Sequence, residues 1–261
     1  MTEAILSKPA RDIPDQTSPC RTWGFWSTTL IGLISIHVWV MAQTLAAVGV
    51  LKWLGTSPNP TDLEYGIITT HALTISIATI ASMPPATAVL VLAAWRARCS
   101  ALEYFALSWP SRQNVLVGIA AIAVLLPLGD LTSYLTGHDI VPAAVADAYR
   151  TARASGHILT LGIALVVVAP LMEELLFRGF LFRGYAASPL GVGGTIVLTS
   201  AVWAVMHIQY DVFYIGQIFV LGCFLGWMRW RSGTTTLTLI LHALVNLVAL
   251  LQVAYLVERA V

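Results

Sequence analysis

The sequence predicts an all-α fold, a polytopic transmembrane bundle of about seven or eight helices enclosing a polar cavity. Three observations carry that expectation. Of 261 residues, 57% are hydrophobic and 10% charged, with a mean hydropathy of +0.79, whereas a soluble domain carries roughly 25% charged residues. The apolar residues fall into long runs separated by turn formers. A few ionisable residues sit inside those runs. So few charges cannot coat a soluble core of this size, and so much hydrophobicity excludes a disordered chain. Fourteen Lys and Arg against thirteen Asp and Glu leave a net charge of +1, with no basic stripe for nucleic acid. Three cysteines, Cys20, Cys99 and Cys223, lack any C-x-x-C or zinc spacing, and no disulfide framework is expected.

Residues 1–25 read as a polar, proline-broken N-terminal tail. Crossing a bilayer core takes roughly 20 mainly apolar residues. The runs that meet or approach this length are Trp26–Val50, Ile67–Ala94, Val115–Leu135, Ile158–Phe182, Thr195–Ile208, Val212–Trp230 and Leu237–Leu256. The first is too long for a signal-peptide core, typically about 7–15 residues. Pro84-Pro85 is expected to kink or split the second run, because proline removes a backbone donor and clashes one turn back. The fifth run is short and reads as tilted, partly re-entrant or buried among its neighbours. Val141–Ser155 looks like an interfacial helix, and Gly222 with Gly226 offers a close helix contact. Together these segments form one integral membrane domain, with N-terminal helices over 26–155 and a second group over 156–257.

Orientation follows from Lys and Arg in the loops. With the N-terminus in the cytoplasm, that side receives Lys8, Arg11, Arg21, Arg96, Arg98, Arg112, Arg183, Arg229 and Arg231. The opposite side receives Lys52, Arg150, Arg153 and Arg259. The expected location is a bacterial plasma membrane, with the lipid bilayer as the first partner.

The residues that carry chemistry are the ionisable groups in apolar sequence, since a charge near the bilayer centre costs at least about 2.5–3.5 kcal/mol. Glu173, Glu174 and Arg178 lie in the fourth run. Glu174 and Arg178, four residues apart with the acid first, can neutralise each other. Glu173 points about 100° away and lacks that partner. Trp203 and His207 are four apart in the fifth run, as are His242 and Asn246 in the last. At 1.5 Å per residue, Glu173, His207 and His242 lie about 15, 18 and 12 Å from the cytoplasmic ends of their helices. A structural network that merely joins helices is the bland alternative. His37 and His71 read as packing residues, His138 and His157 as solvated. Asp130 is a second-rank site candidate or the cap of a break after Pro127.

Glu173-Glu174-x-x-x-Arg178, Trp203-x-x-x-His207 and His242-x-x-x-Asn246, in that order on successive helices, resemble the CPBP family of CAAX proteases and bacteriocin-processing enzymes. That family includes the type II CAAX prenyl endopeptidase. The resemblance implies an intramembrane endopeptidase with a water-accessible cavity. In it, Glu173 and His207 would activate water, His242 and Asn246 would steady the oxyanion, and Glu174, Arg178 and Trp203 would hold the site. The implied partner is a membrane-associated peptide or protein, prenylated or a bacterial precursor. A general base for water and donors for the oxyanion suffice for such hydrolysis, so no cofactor is favoured. Zinc on Glu173, His207 and His242 stays open, because two histidines and one carboxylate form a hydrolytic zinc set. The competing reading is a non-catalytic immunity or partner-binding protein that uses the same cluster. A proton-coupled transporter is disfavoured because no inverted repeat is visible.

Overall fold

The computed structural model describes residues 20–55 and 71–259. Residues 1–19 of the expected tail, most of the turn after Gly55 and the start of the second run lie outside them. The described residues form nine helices and no strand: α1 (Phe25–Trp53), α2 (Ala72–Arg96), α3 (Ala101–Tyr104), α4 (Arg112–Thr136), α5 (Ala143–Ser155), α6 (Ile158–Ala186), α7 (Gly191–Val205), α8 (Val212–Ser232) and α9 (Thr235–Arg259). Six of them, α1, α2, α4, α6, α8 and α9, are long and apolar enough to cross a membrane. At 15 residues, α7 reaches about 22 Å, short of a bilayer core of about 30 Å. Large apolar side chains such as Leu33, Leu116, Val124 and Leu251 lie exposed along these helices, the pattern of a lipid-facing surface. The chain is a multi-pass integral membrane protein.

Helix ends follow local chemistry. Ser111 caps α4 by accepting from the Asn114 amide, and Asp211 caps α8 by accepting from Phe213 and Tyr214. Each cap satisfies amides that the first turn leaves without partners. Gly137, Gly156 and Gly233 close α4, α5 and α8 in the left-handed conformation, which glycine adopts without steric cost.

Pro84-Pro85 and Pro127 split neither of the helices that hold them. α2 runs unbroken through Pro84 and Pro85, held along its length by α1, whose Ser35 donates to the Ala86 carbonyl. α4 likewise continues through Pro127, so Asp130 caps no break. It accepts instead from Gln252 of α9 at 2.8 Å, away from the Glu–His cluster.

A correction concerns the cysteines. Cys20 and Cys99 form a disulfide across a sequence separation of 79, leaving Cys223 free. The end of the expected tail is therefore pinned: the Arg21 amide also donates to the Ala97 carbonyl and the Trp23 indole to Ala93. Nor is His138 simply solvated; it stacks on Phe213 at 4.0 Å. His71 stands at the N-cap position of α2, and its Nδ1 pairs with the Thr74 hydroxyl.

Contacts between connections define two ends of the bundle. At one, Arg183 donates to the Glu103 carbonyl, and the Thr235 amide and Thr234 hydroxyl donate to Ala106. At the other, Tyr214 donates to the Asp139 carbonyl and Arg153 pairs with Glu258. Arg21, Arg96, Arg98, Arg112, Arg183, Arg229 and Arg231 fall at the first end. Lys52, Arg150, Arg153 and Arg259 fall at the second. Arg229 is not a loop cation as expected. It is buried against the Phe182 ring and donates to the Arg178 carbonyl and the Thr235 hydroxyl.

Candidate active site

The cluster is built on α6, which alternates between ordinary and widened turns. Ile163–Val168 and Leu175–Leu181 are π-helical, and the α-helical segment Ala169–Glu174 between them carries both glutamates. Such bulges recur at functional sites. The first has an identifiable consequence. The Ala169 amide reaches back to Ala164, and residue 170, whose amide would next serve the Leu165 carbonyl in this wide turn, is a proline without an N–H. Asn246 of α9 fills the gap, its Nδ2 donating to the Leu165 carbonyl at 2.8 Å.

Glu174 and Arg178 are fully enclosed, with Arg178 Nη1 donating to Glu174 Oε1 at 3.0 Å. The same oxygen lies 3.0 Å from Nδ1 of His242. Arg178 Nη2 continues to the Gly222 carbonyl at 3.1 Å, and its guanidinium lies over the Trp203 ring at 4.7 Å. Gly222 permits this approach: a Cβ there would stand 2.9 Å from Ser200 and 3.0 Å from the Trp203 ring. The G-x-x-x-G spacing thus seats α8 against α7 at the level of the cluster.

Glu173 is the more accessible acid, 9% exposed against 1% for Glu174. Its Oε2 accepts from the Trp203 indole at 2.5 Å and lies 3.9 Å from Nε2 of His242. His242 therefore stands between the two carboxylates, one ring nitrogen toward each. Trp203 is the hub, its ring edge-on to His207 at 5.3 Å and to His242 at 5.2 Å. His207 is half-buried, and its Nδ1 lies 2.9 Å from the Trp203 carbonyl. A carbonyl only accepts, so Nδ1 is the donor in this bond and Nε2 is the ring nitrogen left for other partners.

The structure brings Glu173, Glu174, Arg178, Trp203 and His242 into one network from α6, α7 and α9. His207 joins through Trp203 rather than by contact with Glu173, and Asn246 is engaged with Leu165. Sequence reasoning missed Tyr210, which stacks on His207 at 6.1 Å. Its position three residues along in the turn after α7 was the available signal. Two surface concavities, lined by Trp95, Arg96, Arg98 and Cys99 and by Phe25, Trp26, Ser188, Pro189 and Leu190, lie away from the cluster.

His207 Nδ1 is engaged by Trp203, His242 Nδ1 by Glu174, and Glu173 Oε2 by the indole, so a zinc ion on this set would use Nε2 of each histidine and Oε1 of Glu173. Among the described residues, the three-residue group whose ligand atoms lie within 4.8 Å of one another is Cys20, Cys99 and Glu103. Its two sulfurs are bonded to each other.

Fold and cluster together define a class: a multi-pass helical membrane protein holding an acid–imidazole–guanidinium network among its apolar helices. Residues 155–248, the segment that holds all three motifs, match the family described as Type II CAAX prenyl endopeptidase Rce1-like. No curated protein and no solved structure matches the chain.

Proposed function

We propose that the protein is an intramembrane endopeptidase that cleaves a membrane-associated peptide with water activated by Glu173. The observation that carries this reading is the position of Glu173, an acid that pairs with no Lys or Arg among the described residues, beside a second acid neutralised by Arg178. Glu173 takes a proton from water, and the indole N–H of Trp203 holds its carboxylate in place. His242, with Nδ1 on Glu174 and Nε2 turned toward Glu173, is placed to pass a proton or to donate to the developing oxyanion. In its neutral form His207 offers Nε2 as a second acceptor on the accessible side. Substrate enters beside Met206, His207 and Tyr210, which are half-buried. The arginine-rich end faces the cytoplasm, as the positive-inside rule requires.

The expected substrate is a prenylated C-terminal peptide or a bacterial precursor peptide. The test is a panel of both kinds, tethered to nanodiscs with the purified protein and read by mass spectrometry in ¹⁸O-labelled water. One discrete cut carrying a single ¹⁸O at the new C-terminus supports the reading. Absence of any cut across the panel, with capture of intact peptide by wild-type protein, favours the non-catalytic binding role.

A further inference from the structure

A second site lies at the arginine-rich end, outside the Glu–His network. Arg96 ends α2, Arg98 follows in the left-handed backbone region at φ 57°, and Cys99 is tied to Cys20. With Trp95 these residues line an open concavity of about 380 Å³. Left-handed backbone at a residue with a Cβ is uncommon and is held by its surroundings. Here the disulfide and the bond from the Arg21 amide to Ala97 grip the segment on both sides.

Charge makes the place unusual. Arg96 and Arg98 are exposed, and no carboxylate pairs with either among the described residues. Arg21, whose backbone amide donates to the carbonyl of Ala97 between them, is exposed as well. The nearby acid is Glu103, close to the sulfurs, and Arg183 lies beside Cys20 and the Tyr104 ring. Among the described residues, positive charge therefore exceeds negative around the hollow. By contrast, Arg150 and Arg153 at the opposite end each have an acid, Asp147 and Glu258.

Guanidinium groups match phosphate geometry with paired N–H donors. The exposed Trp95 indole is the amphipathic ring that settles at headgroup level.

We propose that the hollow formed by Trp95, Arg96, Arg98 and Cys99 binds the phosphate of an anionic phospholipid headgroup. The site is independent of the peptidase reading, since a phosphate-bearing leaflet flanks either orientation of the chain. It positions the end of α2 at the headgroup layer next to the Cys20–Cys99 link.

Native mass spectrometry of the full-length protein tests this with three probes: phosphatidylglycerol, phosphatidylcholine and inorganic phosphate. Wild type should retain phosphatidylglycerol over phosphatidylcholine, and Arg96→Ala/Arg98→Ala should weaken phosphatidylglycerol binding at least tenfold. Arg150→Ala/Arg153→Ala removes the same charge from the other end and should leave binding unchanged. An equal loss in both double variants, no loss in the first, or tighter binding of inorganic phosphate than of the lipid would overturn the proposal. Intact thiol protection of Cys20 and Cys99 reports that each variant keeps its fold.

Discussion

The indole nitrogen of Trp203 donates to Oε2 of Glu173 at 2.5 Å, while the same ring is flanked edge-on by the imidazoles of His207 and His242. One side chain thus fixes the proposed base and spaces the two histidines around it. Trp203→Phe keeps the ring and deletes the donor. A hydrogen bond to a charged group contributes about 1.5–3 kcal/mol, so cleavage should fall roughly ten- to hundredfold and thermal stability should drop with it. Turnover by the purified variant, beside its melting curve, checks this.

Asn246 and Pro170 should be energetically coupled. Asn246→Ala leaves the Leu165 carbonyl without its donor, at about 1–3 kcal/mol. Pro170→Ala returns an N–H to the turn, so Asn246→Ala should cost less in that background. A double-mutant cycle on thermal unfolding in detergent measures the coupling. Strict additivity would mean that Asn246 does not compensate for the proline.

Breaking the enclosed ion pair should destabilise more than either change above. Arg178→Met strands Glu174 and removes the contacts to Gly222 and Trp203, and an uncompensated buried charge costs about 3–5 kcal/mol. Loss of folded protein on size-exclusion chromatography is the expected result. Arg178→Met/Glu174→Gln should recover part of it.

The disulfide gives a chemical readout. Before reduction, a maleimide should label Cys223 and spare Cys20 and Cys99; after reduction all three should react. Closing a loop of this length constrains the unfolded chain by about 4–5 kcal/mol on the chain-entropy model, so reduction should lower the melting temperature.

Tyr104, fully buried in α3 between two spans, has its phenol pushed from 10.0 up to about 12, with burial the leading cause. A pKa raised in the folded state means stability that is complete below pH 10 and lost as pH climbs toward 12. The two-unit difference corresponds to roughly 2–3 kcal/mol. Alkaline unfolding followed by circular dichroism should show this loss in wild type and a shallower one in Tyr104→Phe.

Much of the fold was legible because lipid imposes a simple rule: a long apolar run must be a helix. The run Val212–Trp230 became α8 and Val141–Ser155 became α5 with small shifts at the ends. The Glu174–Arg178 pair was legible from i,i+4 spacing alone. The Cys20–Cys99 bond was not, because 79 residues separate its ends and no local pattern encodes the pairing. Asn246's engagement with Leu165 was hidden for another reason. It depends on widened turns in α6, and hydrophobic periodicity cannot distinguish those from ordinary helix. His207 was expected beside Glu173 by depth, but depth fixes only the level in the membrane. Rotation about α7 places the Trp203 indole between them.

The most direct test of the central claim compares wild type with Glu173→Gln on whichever tethered peptide the wild type cuts. Glutamine preserves shape and can still meet the Trp203 N–H through its carbonyl oxygen, but it cannot take a proton from water. The account predicts loss of cleavage by at least about a thousandfold, near the upper range of a general base, with an unchanged melting temperature. Cleavage by Glu173→Gln at the wild-type rate would contradict it.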